Sequence, residues 1–220
     1  MVRSTREQAS DVEGKIWDEA VVLFEQILSD FNSKNLLRKT IIPMDMARLV
    51  ELWKNSRNYV VSVNEIIDKF KTKEAEKLRD DLGLSNTAVF YLFMSQLITV
   101  GLVAYETVFK TSLLFFIDDK QIGVRKTVAL GGLLDKIEKF SPKAGADLKK
   151  MINLRVRNSL AHGTYWFNQQ TIYLATNSYL EEITCMDIGD FWIELKNMNV
   201  ISLALIDALD KKRSEGYFNP

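Results

Sequence analysis

Leu154-Arg155-Val156-Arg157-Asn158-Ser159-Leu160-Ala161-His162-Gly163 carries the only histidine of this 220-residue chain. No helix breaker interrupts the run before Gly163, and Gly closes helices readily because it accepts the left-handed conformation. A helix ending at His162 is therefore predicted. On it, Asn158 and His162 stand four residues apart and share a face. Asn158 is then placed to hydrogen-bond an imidazole nitrogen and set its tautomer. Arg157 lies about 100° around the helix from Asn158, beside the same cleft. Arg155, seven residues before His162, falls nearly on the His162 stripe as a second cation. Imidazole takes and gives protons near neutral pH, so acid–base chemistry in this chain points to this segment.

The remaining composition offers few other routes to chemistry. Hydrophobic residues make up 47% and charged residues 26%, ordinary values for a folded protein. Lys plus Arg and Asp plus Glu balance at 29 each, so a nucleic-acid partner would have to be held by a local patch, not by the overall field. One cysteine, Cys185, excludes an internal disulfide and offers no metal-site spacing; it reads as a small buried hydrophobe. No Asp/Glu/His cluster has ligand spacing, so neither a metal nor another cofactor is expected. The polar N-terminal residues lead into no signal-type apolar core, and the default compartment is the cytoplasm.

Three prolines and ten glycines leave long uninterrupted segments, which favours helices. Residues 11–31 carry Val12, Ile16, Val22, Leu23, Ile27 and Leu28 at mostly helical spacing. A second helix is predicted from Met44 to Phe70, with Pro43 as a candidate first-turn residue and Leu49, Leu52, Trp53, Val60, Val63, Ile67 and Phe70 along it. A charge-rich helical stretch, 71–82, follows. Gly83 and Ser85 then read as a C-cap and an N-cap. Helices are expected at 85–118, at 124–140 (weakened by Gly131-Gly132) and at 143–162. Tyr165 to Leu174 reads as a β-hairpin around a polar turn, 181–186 as a third extended piece, and Asp187 as the cap of a last helix to about Lys212. Trp17, Trp53 and Trp192 read as core anchors. The tail is expected to fray.

Residues 88–105 (AVFYLFMSQLITVGLVAY) hold no charge over about 18 positions, near the length of a membrane span. Ser95, Gln96 and Thr99 interrupt the stretch, and its flanks lack Lys/Arg asymmetry. The favoured reading is a central bundle helix that also forms an oligomer interface. Residues 77–103 share the rhythm of a winged helix-turn-helix, but Val89 to Met94 would stand where base-reading polar side chains are needed. DNA binding is therefore not expected there.

Arg157, the polar Asn158 directly after it, and His162 with four residues between resemble the signature of the HEPN superfamily. The order of elements is similar too: a long helix carrying an acidic residue (Glu106), a second helix, the motif helix, a hairpin and a final helix. The resemblance covers about residues 85–212. It implies an all-α, HEPN-like helical bundle at 83–213, with a small β-hairpin after the motif helix. An N-terminal helical extension at 1–82 lies outside it, and a flexible tail follows at 214–220. It further implies a homodimer that pairs two motif helices about a two-fold axis, and in many members a metal-independent ribonuclease. Other members are non-catalytic modules that bind RNA or protein. RNA, a second copy of the chain, and an antitoxin or regulatory protein are the partners implied, with no membrane. The toxin or defence context comes from the resemblance alone.

Metal-free RNA cleavage needs a base for the ribose 2′-hydroxyl, a cation for the charge growing on phosphate, and an acid for the leaving 5′ oxygen. His162 suits the first and third roles, one per subunit. Arg157 suits the second, because its planar fork matches phosphate oxygens. Asn158 would orient the ring. The expected products are 2′,3′-cyclic phosphate and 5′-hydroxyl ends. Lys149, Lys150 and Arg155 would form the RNA-binding patch with Arg157, doubled across the dimer axis. Tyr165 and Trp166 are either base-stacking platforms or hairpin residues packed on the bundle. Glu106 either orients Arg157 by an ion pair or is a helix-surface acid, and His162 itself could be a plain helix cap.

Overall fold

The computed structural model describes residues 10–41, 43–70, 73–118, 120–125, 127–168, 170–176 and 182–218. In chain order these form α1 (Asp11–Ser33), α2 (Pro43–Phe70), α3 (Lys73–Asp81) and α4 (Asn86–Leu102). A π-helical turn (Val103–Phe109) joins α4 to α5 (Lys110–Phe116). Then come α6 (Leu130–Phe140), α7 (Pro142–Met151), α8 (Leu154–His162), β1 (Tyr165–Asn168), β2 (Thr171–Ala175), β3 (Ile183–Asp187) and α9 (Ile188–Ser214). The fold is thus mostly helical with one small three-stranded antiparallel sheet, ordered β1-β2-β3.

The helix ends follow local chemistry. Ser10 and Glu13 form a reciprocal capping box at the start of α1. Gly83, with φ 63°, closes α3, and the Ser85 hydroxyl then accepts from the Ala88 N–H at 3.1 Å to open α4. Asp187 caps α9 through the Gly189 N–H at 2.6 Å.

Helix α9 is the axis of the bundle. From Phe191 to Leu209 its buried residues fall on most of its circumference, because α1, α2, α4 and the π-helical turn all pack on it. Helix α1 is built into that core: Phe24 meets Phe109 at 6.2 Å, and Phe31 touches both Phe116 and Phe140. One hydrophobic cluster therefore runs across residue 82, joining α1 and α2 to the segment that carries the motif. Trp17, Trp53 and Trp192 are buried in it, as expected.

Several sequence expectations are corrected. The helix expected over 143–162 is two helices, because Asn153 turns its side chain to accept from the Val156 N–H at 3.1 Å and so caps a new helix. The helix expected from Val124 begins at Leu130, after a turn closed by Val128 N–H on the Arg125 carbonyl. Cys185 is exposed, because strand alternation in β3 turns it outward beside Tyr173. The tail does not simply fray. Phe218 is buried, and the Lys212 ammonium lies 4.8 Å from the Tyr217 ring centroid. Ile67 and Phe70 lie outside the residues whose side chains are described.

The uncharged stretch lies in a continuous helical segment, Asn86–Phe116, whose most apolar 18-residue window has a mean hydropathy of 1.8. It is long and apolar enough to cross a bilayer by length and composition. That window is 33% buried within the bundle. The buried side, with Met94, Leu97 and Gly101, packs inward, whereas Tyr91 and Leu92 stand exposed.

Candidate functional site

Helix α8 carries the motif and is fixed at both ends. At its C-terminus Gly163 takes φ 67°, and the Thr164 N–H reaches the Ser159 carbonyl at 3.0 Å, the bond of a Schellman closure. The hydroxyls of Ser159 and Thr164 both donate to the Ala175 carbonyl at 2.8 Å, pinning this end to β2. At its N-terminus, Glu194 of α9 accepts from the Asn153 backbone N–H and from the Tyr105 hydroxyl at 3.1 Å. Burial pushes the Glu194 carboxyl above the usual Glu value, against the pull of those two donors. Burial, reinforced by the Glu194 carboxylate, likewise raises the Tyr105 phenol well above its ordinary value. Along its length α8 lies close against α4: a Cβ at Gly101 would sit 2.5 Å from the Leu160 Cδ1.

Arg157 points into the bundle and is 7% exposed. Its Nε and Nη2 both engage Glu106 Oε1, and its Nη1 donates to the Asn158 Oδ1 at 2.9 Å. Glu106 comes from the middle of the π-helical turn. Its other oxygen pairs with Lys110 at 3.1 Å. The cluster Lys110–Glu106–Arg157 thus holds two cations and one anion, with one positive charge left over. The wider π turn carries an extra residue per turn and changes which side chains face α8, a frequent device at functional sites.

His162 lies on the other side of the same helix end, exposed and without a hydrogen-bond or ion-pair partner among the described residues. It stands five positions on from Arg157, about 140° around a regular helix. Asn158 does not set the imidazole tautomer as expected; its amide oxygen is spent on Arg157. The plain surface-acid reading of Glu106 falls, and the orienting ion pair is what the fold contains.

The expected basic patch is neutralised where it stands. Lys149 pairs with Asp135 at 2.6 Å and Glu138 at 3.0 Å, and Lys150 with Asp147 at 2.8 Å. Arg155 reaches Thr184 of β3 and, at 3.4 Å, Glu182 just before that strand. These acids lie far enough away in sequence, apart from Asp147, that the pairings were invisible before folding. Tyr165 is half-buried, its ring 5.6 Å from that of Phe167. Trp166 is the aromatic turned outward, 37% exposed and stacked on Tyr173 at 5.2 Å with an interplanar angle of 2°. Strand alternation after Gly163 carries the signal that Trp166, and not Tyr165, faces solvent.

Among the described residues no three His, Cys, Asp or Glu side chains come together in a metal-holding group. No protein-family model matches this sequence, and no curated protein or solved structure matches it.

Proposed function

We propose that this protein is a metal-independent endoribonuclease of the HEPN type, acting as a homodimer in which two α8 helices share one groove. The observation that carries the reading is the exposed His162, without a partner among the described residues, at the end of the helix whose buried face carries Arg157, held by Glu106 and Asn158. An imidazole free of local partners is available as base toward a ribose 2′-hydroxyl or as acid toward a 5′ oxygen. One ring per protomer supplies both roles only in a dimer.

Arg157 acts through the residual positive charge of its cluster with Lys110, since all three of its guanidinium nitrogens are already engaged. The flat Trp166–Tyr173 stack, two residues beyond the helix closure, offers a face for an unpaired base. Tyr91 and Leu92 supply uncharged dimer surface. Tyr91 touches Phe90, and Phe90 meets Phe167 of the hairpin at 6.2 Å, so this surface adjoins the motif end of α8.

One observation favours a second reading. Arg157 is buried with each of its three nitrogens already bonded, and Lys149, Lys150 and Arg155 are matched by carboxylates, which suits a non-catalytic module over a nuclease. Incubating the full chain with RNA in EDTA and mapping the ends separates the two. Ends bearing 2′,3′-cyclic phosphate and 5′-hydroxyl support the nuclease; intact RNA supports the module.

A further inference from the structure

A pocket of about 320 Å³ lies between the last turn of α1, the segment that follows it and the C-terminal tail. Its walls are Asn32, Asn35, Leu37, Arg38, Lys39 and Tyr217, and no described residue of α8 lines it. Asn35 makes the turn that shapes it. This residue takes φ 56°, a left-handed conformation that Asn tolerates better than most side chains. The Leu36 N–H then reaches the Phe31 carbonyl at 2.9 Å and closes α1. Beyond the turn the chain is tied to the end of α5. Leu37 pairs with Ile117, and the Arg38 N–H donates to the Phe116 carbonyl at 2.9 Å. Arg38 Nε donates to the Ile117 carbonyl at 3.2 Å, which fixes the guanidinium while Nη1 and Nη2 keep no partner among the described residues. A fork already held in place loses less freedom when it binds a ligand.

The charge of the lining names the ligand. Arg38 and Lys39 have no ion pair among the described residues, and no carboxylate lines the pocket. Lys149, Lys150 and Arg155, by contrast, are each matched by an acid. Neutral donors stand around the two cations. The amides of Asn32 and Asn35 make no side-chain bond among the described residues. The Tyr217 phenol oxygen lies 3.4 Å from Ser29 Oγ, and with Ser29 donating its own proton is left for the pocket. Asn32, Asn35 and Lys39 are exposed, and Arg38 and Tyr217 are half-buried, so these groups are within reach of a ligand. Donors from three chain segments suit a tetrahedral group better than a planar carboxylate. Two unmatched positive charges suit a dianion. A carboxylate, or a phosphodiester inside an RNA strand, carries one negative charge and would leave one cation unmatched.

We propose that this pocket binds a phosphomonoester dianion, as free phosphate or as the terminal phosphate of a nucleotide. The Arg38 Nη pair holds two of its oxygens, Lys39 balances the second charge, and Asn35 and Tyr217 donate to what remains. The cyclic phosphate and 5′-hydroxyl ends expected of the α8 chemistry contain no phosphomonoester. The site is therefore separate from that reaction, and its test does not depend on RNA cleavage.

The test follows the backbone amide resonances of Asn35 and Lys39 in the ¹⁵N-labelled full chain. Titrations are run at pH 8, well above the second phosphate pKa of about 6, with ionic strength held constant by NaCl. Inorganic phosphate and AMP are both expected to move the two resonances saturably, and the tighter of the two tells free phosphate from a nucleotide. Lys39→Met, at an exposed position, is expected to leave the melting curve in place and to weaken binding about tenfold. Tyr217→Phe, which removes one neutral donor, is expected to weaken it about threefold. The proposal is overturned if neither probe moves the resonances saturably, or if Lys39→Met binds as the native chain does. It is equally overturned if acetate binds as well as phosphate, which leaves a general cationic surface. ApA, whose single phosphodiester carries one charge, overturns it by binding as tightly as AMP, which would put an RNA strand in the pocket.

Discussion

Glu106 holds Arg157 with one carboxylate oxygen and Lys110 with the other, from the middle of a π-helical turn. The two cations are therefore not equivalent to the fold. Removing Arg157 leaves Glu106 still paired, whereas removing Glu106 strands a guanidinium that is 8% exposed.

An asymmetry in stability follows. Glu106→Gln is expected to cost about 2–3 kcal/mol, somewhat below the full cost of unpairing a buried charge because Glu106 is partly exposed and Asn158 still accepts from Arg157. Arg157→Met is expected to cost less, since Lys110 remains to satisfy the acid. Urea unfolding of the two variants measures the difference, and equal losses would mean that Lys110 contributes nothing.

Gly101 sets the distance between α4 and α8. A Cβ there meets Leu160 Cδ1 at 2.5 Å and Leu195 Cδ2 at 3.0 Å. Gly101→Ala is expected to destabilise by about 1–2 kcal/mol, the low end for overpacking because the tip of Leu160 can swing aside. Thermal unfolding reads this. A crystal structure of the variant should show α8 displaced from α4.

Gly163→Ala tests the helix closure in isolation. Nothing lies within 4 Å of the added carbon, so the loss comes from the left-handed backbone alone and is expected to be about 1 kcal/mol. Hydrogen exchange should quicken at Thr164, whose N–H makes the closing bond to Ser159.

Glu194 gives the stability a pH slope. Its carboxyl is raised above its ordinary value of 4.5 chiefly by burial, so the folded chain keeps this proton to higher pH than the unfolded chain. Between the two values the folded state binds more protons, and its stability falls as pH rises from about 4.5 upward. Glu194→Gln keeps an acceptor for Tyr105 and Asn153 but cannot titrate. Its stability curve is expected to lose this decline and to lie above that of the native chain at neutral pH, as read by urea midpoints across the range.

Legibility in the sequence tracked locality. Gly163, Ser85, Asp187 and the Tyr165–Leu174 hairpin act through neighbours a few residues away, and they were readable. Asn153, although a favoured cap residue, is not legible as one, because the run 143–162 holds no Gly or Pro around it to mark a break. The π turn has no local signature, and it decides that Glu106 meets Arg157 across 51 residues. The basic patch failed as an expectation for the same reason: Lys149 finds Asp135 and Glu138 only after α6 and α7 pack together, with Gly145 close against the Glu138 backbone. Charge counted along a chain says little about charge left unpaired on a surface. Whether His162 faced water was equally unreadable, since it depends on how α8 rolls against α4.

The central claim is that His162 moves protons in RNA cleavage. The direct measurement is the rate at which His162→Ala cleaves RNA in EDTA, relative to the native chain at equal concentration and equal folded fraction. The account predicts 2′,3′-cyclic ends from the native protein and a fall in rate of about 10²-fold or more in the variant. A variant that cleaves at the native rate, or a native protein that leaves RNA intact, would contradict it.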